Sequence, residues 1–133
     1  MRAQSLLKTG LVLTLWSAVT SWAGDVYVIV NADVILGPDE IRNVFVGEKQ
    51  LSGNVKLVPM DNAAAQADFL SKVVKMDPAK YNSMWVKKGF RDGLSAPLVR
   101  GSDAETVHAV KSTPGAVGYV SKAPAGVKVI QRY

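Results

Sequence analysis

Chemistry in this chain has to come from a short list of side chains. His108 is the only histidine and there is no cysteine, so a multi-histidine metal site, a thiol nucleophile and a disulfide framework are all excluded. His108 falls mid-helix beside Val107, where a structural histidine is the expected role. Asp61, Asp92 and Asp103 are the carboxylates that acid/base work would need, but each falls in a loop or at a helix start, where aspartate ordinarily caps. No glycine-rich loop joins a strand to a helix. These residues point away from an enzyme and away from a cofactor. What remains is anion recognition. Asn62, Ala63, Ala64 and Ala65 open a helix directly after a strand, and the first amides of a helix point free N–H groups at whatever lies beyond the strand end. Ser102 begins a second helix, and Arg91 and Arg100 could supply charge-assisted hydrogen bonds to an oxyanion. The competing expectation is that Asp61 and Asn62 only cap their helix and that both arginines are solvated.

The elements that hold these residues follow from periodicity. Val26-Tyr-Val-Ile-Val-Asn31 is a β-branched run that predicts a buried strand. Pro38, with Asp39 and Glu40 behind it, suits a helix start, and Ile41, Val44 and Phe45 form its apolar face, stopped at Gly47. Residues 48–54 read as a polar loop and residues 55–59 as a second strand ended by Pro59. Residues 63–75 predict a helix with Phe69, Leu70, Val73 and Val74 as its stripe. Asp77-Pro78 opens another with Tyr81, Met84 and Trp85 on one face, ending near Gly89. A short strand is expected at Leu98-Val99, then a capping box at Ser102-Asp-Ala-Glu105 leading a helix with Ala104, Val107 and Val110 inward. Residues 117–120 and 127–130 are two further strands. The order β-α-β-α-α-α-β-β implies one α/β domain with a mixed sheet.

At the front, Arg2 and Lys8 precede an apolar stretch at residues 10–19, and Ser21-Trp22-Ala23 offers a cleavage site. This is the pattern of a secretory signal peptide, residues 1–23, and its apolar stretch is too short for a permanent membrane span. Cleavage after Ala23 would leave 110 of 133 residues and take two positive charges away, lowering the net charge from +5 to +3. The remaining basic residues are scattered and not interleaved with stacking aromatics, so nucleic acid is not an expected partner. The expected location is the periplasm, with a domain at residues 24–133 that does not span the membrane.

The first strand, the stretch Leu36-Gly-Pro-Asp-Glu-Ile-Arg-Asn-Val-Phe-Val-Gly47, residues 58–74 and above all Ser112-Thr-Pro-Gly-Ala-Val-Gly-Tyr-Val120 resemble periplasmic phosphate-binding proteins of ABC transporters. The resemblance covers residues 25–133 and implies a single lobe of a type II periplasmic-binding-protein-like fold, a mixed sheet flanked by helices, where full-length members have two lobes. In the family the loop after the second matching strand carries Arg and Asp followed by Gly-Ser-Gly-Thr, which grips phosphate. Here that stretch is Met60-Asp-Asn-Ala-Ala-Ala-Gln-Ala-Asp68, so the arginine and hydroxyls are replaced and Asp61 and Asp68 add negative charge. Each lost charge-assisted contact costs roughly 1.5 to 3 kcal/mol. Two functions are therefore expected. One is a small exported solute-binding-like protein holding phosphate or another small anion at residues 62–65, weakly or in a cleft completed by self-association. The other is an interaction or accessory module of the envelope that kept the fold and lost the ligand.

Overall fold

The β-branched run near the front becomes β1 (Tyr27–Val30), in which Val28, Ile29 and Val30 have no solvent exposure. A strand covered on both faces belongs in the middle of a sheet. The computed structural model, which describes residues 24–133, places β1 between two strands from the far end of the chain, β6 (Ala116–Val120) and β7 (Lys128–Arg132), antiparallel to both. The predicted signal peptide lies outside the described residues. On the other side of β6 run β4 (Val58–Asn62) and β5 (Leu98–Arg100), both parallel. The five-stranded order is β5-β4-β6-β1-β7, a mixed sheet as the sequence predicts.

The predicted second strand is split. Residues 48–54 do not form a plain loop: Leu51–Ser52 (β2) and Val55–Lys56 (β3) make a small separate hairpin, tied down where the Ser52 hydroxyl donates to the Ile35 carbonyl at 2.7 Å and accepts from its amide at 3.1 Å. The chain then changes partners and enters the main sheet at Val58. Pro59 lies inside β4 instead of ending it. The Val58 amide bonds to Gly115 on the β6 side, so position 59 faces β5, whose pairing begins only at Met60 opposite Leu98. No ladder bond is lost there.

A single 3₁₀ turn (Pro38–Glu40) feeds α1 (Ile41–Phe45), which buries Ile41, Val44 and Phe45. The stripe Phe69, Leu70, Val73 and Val74 is buried as its spacing predicts, although the helix starts later: α2 (Gln66–Phe69) passes into a π-helical turn (Leu70–Val74). Asp77 caps α3 (Pro78–Asp92) by accepting from the Lys80 amide at 2.8 Å. This helix runs past Gly89 to a left-handed C-cap at Gly93, because Gly89 keeps helical geometry and its carbonyl accepts from the Gly93 amide at 3.2 Å. The last helix, α4 (Asp103–Ser112), buries Thr106, Ala109 and Val110 instead of Ala104 and Val107. Thr106 can be buried because its hydroxyl bonds back to the Ser102 carbonyl at 2.8 Å.

The sheet divides the core. Val28, Val30, Val117 and Tyr119 face a large cluster built from α1, α2 and α3, including Phe45, Phe69, Tyr81 and Trp85. Ile29, Met60, Ala116 and Val120 face a smaller cluster under Ala109 and Val110 of α4. The sheet and α4 approach closely at Gly118, where a Cβ would stand 3.0 Å from side-chain carbons of Thr106 and Val110.

Candidate functional site at the carboxyl end of β4

The last two residues of β4 are polar and almost fully buried, Asp61 at 1% exposure and Asn62 at 0%. Alternation along the strand sends them to opposite faces. On the α3 face the Asp61 carboxylate accepts from the Tyr119 hydroxyl at 2.7 Å and from the Tyr81 hydroxyl at 2.9 Å. Tyr119 is held by Phe69, stacked on it at 3.9 Å between centroids, and by the edge of Phe45 at 5.6 Å. Trp85 completes this layer by donating its indole N–H to the Phe45 carbonyl at 3.2 Å. Burial pushes the Asp61 carboxyl above the usual aspartate range, and the two tyrosine bonds oppose that only in part. Burial, and then the nearby Asp61 charge, push the phenols of Tyr81 and Tyr119 well above the ordinary tyrosine value, so both remain donors at any physiological pH. A groove of about 380 Å³ opens beside this cluster, with Gln66, Asn82 and Val99 on its walls.

On the other face Asn62 ties three elements together. Its amide nitrogen donates to Asp103 at 2.8 Å and to the Tyr119 carbonyl at 3.0 Å, and its side-chain oxygen accepts from the Ala64 amide at 3.0 Å. Asp103 also accepts from the Ser121 hydroxyl at 2.7 Å and from the Ser121 amide at 3.1 Å. Burial works against the Asp103 charge, yet these donors hold its pKa below the usual range. The amides of residues 63–65 are all used inside the chain: Ala63 donates to the Arg100 carbonyl at 2.8 Å, Ala64 to the Asn62 side chain, and Ala65 to the Asn62 carbonyl at 3.0 Å.

The residues that the sequence nominates for an anion are thus only partly brought together. Asn62, Ala63, Ala64 and Ala65 form one turn, with the Arg100 backbone against it. The Arg100 side chain leaves the sheet on the face opposite Asp61, since register pairs Asn62 with Arg100 and Asp61 with Val99. Ser102 caps α4, accepting from the Glu105 amide at 3.1 Å, while Glu105 reaches the Gly101 amide at 2.8 Å, so the predicted box closes one residue early. Arg91 is exposed in the last turn of α3 and forks onto Asp92 at 3.0 and 3.1 Å. Sequence reasoning missed Tyr81, Tyr119 and Ser121 as partners. A signal was available for the tyrosines: a phenol in a fully apolar run such as Val117-Gly-Tyr-Val120 needs a buried acceptor. Among the described residues no group of three or more His, Cys, Asp or Glu side chains could hold a metal ion, and no helix is long and apolar enough to cross a membrane.

No protein-family model and no curated protein sequence matches the chain. Among solved structures it is similar to an ABC-type phosphate transport receptor from Vibrio cholerae, with a TM-score of 0.51 and 18% sequence identity over 81% of this chain. The match covers 46% of the receptor, so the chain spans about half the length of that structure. At this identity the likeness is one of fold: an α/β unit of the periplasmic-binding-protein type.

Proposed function

We propose that the chain is an exported, non-enzymatic solute-binding-like lobe that acts as an accessory module in the periplasm and does not carry phosphate at the turn after β4. The fold it shares with half of a phosphate transport receptor supports the solute-binding-like class. The commitment of every amide at residues 63–65 to acceptors within the chain carries the rest. A phosphate placed there would have to break those bonds next to the buried Asp61 carboxylate, with no arginine or hydroxyl side chain among residues 60–68 to replace the contacts. Burying a dianion without matched donors is strongly unfavourable. The exposed side chains Val86 and Phe90, four residues apart on α3, and Leu98 and Val99 on the edge strand β5 give the module apolar surface for a partner.

Calorimetry with inorganic phosphate tests this reading. No heat at millimolar phosphate is expected, together with enrichment of an envelope protein on the immobilised chain. A stoichiometric heat would overturn it in favour of the anion-binding function, in which Asn62, Ala63, Ala64 and Ala65 hold a small anion with help from Arg91, Arg100 or Ser102.

A further inference from the structure

A second groove, about 510 Å³ in volume, runs from residues 93–97 along the start of β4 and reaches Arg100. Its size is that of a small-molecule site. Three cations line it, Lys49, Lys56 and Arg100, and no aspartate or glutamate does. Lys49 shares its charge with Glu40 at 3.1 Å, whereas Lys56 and Arg100 take part in no ion pair among the described residues. Arg100 adds an observation of a different kind: its Nε is buried and has no hydrogen-bond partner among the described residues. A charged donor without an acceptor is costly to bury, and such groups mark places where something else completes the bond. Apart from Gln50, Ser95 and Thr113 the rest of the wall is apolar, with Leu98 exposed on it and Leu57, Trp85 and Pro97 buried behind it.

We propose that this groove binds a monoanion with an apolar body, an acyl or aryl carboxylate, whose head group accepts from Arg100 and whose body covers the wall at Leu57, Trp85 and Pro97. A guanidinium matches a carboxylate in geometry and charge, which a lysine pair alone does not. Free phosphate suits the groove less well, because it would leave the apolar part of the wall uncovered. The site is separate from the turn after β4, and it stands or falls apart from the absence of phosphate binding there.

Octanoate titrated into the full chain, with Trp16→Phe and Trp22→Phe so that Trp85 is the one emitting tryptophan, followed by calorimetry and by fluorescence, is the test. One equivalent of octanoate is expected to bind and shift the emission, with 1-octanol and inorganic phosphate each binding at least about tenfold more weakly. Arg100→Gln should weaken octanoate by about tenfold or more, the loss of one charge-assisted contact. Lys111→Gln, a surface change of the same charge away from the groove, should leave affinity unchanged, and equal melting temperatures for the two variants would show that folding is intact. Equal affinity for octanoate and octanol would overturn the proposal, as would unchanged binding by the Arg100→Gln chain or the absence of any octanoate signal at millimolar concentration.

Discussion

Asp61 is a carboxylate kept in a low-dielectric setting by two phenols, and that has a definite pH signature. Its folded pKa lies above the ordinary aspartate value of 3.8. Between that value and the raised one, the folded state holds a proton that the unfolded chain has already released. Stability therefore falls as pH rises through that window and levels off above it. Asp103 works in the opposite sense, contributing stability that is lost as pH falls below 3.8. Asp61→Asn should abolish the fall on the upper side and leave the acid limb from Asp103 in place, which urea unfolding from about pH 2 to about pH 7 will reveal. A slope unchanged in the variant would mean that Asp61 is not its source. Little of this was legible at the level of single residues. Aspartate at a strand end reads as a cap, and its true partners stand 20 and 58 positions away in the chain, on a helix and a strand whose tyrosines read simply as apolar. Asn62 was closer to its expected role, because an Asx side chain bonding two residues ahead is a local event that composition does encode.

At the scale of elements the predictions from periodicity fared according to how local their causes are. The stripe at Phe69, Leu70, Val73 and Val74 and the cap at Asp77 depend on neighbours within one or two turns, and both are present. The hairpin at residues 51–56 and the continuation of β4 through Pro59 depend on which strand lies alongside, which no local pattern states. The turn into β6 is the sharpest case. Gly115 has φ +81°, and a Cβ there would stand 2.0 Å from the Lys56 carbonyl oxygen, a contact no side chain can relieve because the obstacle is backbone. Its amide also donates to the Asp33 carboxylate at 3.0 Å. Gly115→Ala combines a strained backbone with this collision and should cost about 3 kcal/mol or more, measured by denaturant unfolding. A loss below about 0.5 kcal/mol would show that β3 and the turn can separate freely. The Pro-Gly-Ala-Val-Gly-Tyr-Val run is thus partly explained: one glycine turns the chain beneath β3, and the other admits α4.

For the whole molecule, the sequence conveyed a mixed α/β unit but not the path of its sheet. The strand nearest the front ends in the middle, between β6 and β7, with Tyr27 opposite both Val120 and Arg132. A chain shortened to end before β6 would lose both neighbours of β1 and the floor beneath α4, so it should lack the cooperative thermal transition of the longer chain; circular dichroism on residues 24–112 checks this. The same arrangement governs the order in which structure can accumulate. Contacts so distant in the chain require the closure of a very large loop before any pairing energy is returned, and such folds form slowly. Until residues 116–132 are available, the most apolar strand has nowhere to dock. A chain still lacking those residues accordingly cannot complete the sheet, and the burial of β1 waits on the segment that carries β6 and β7.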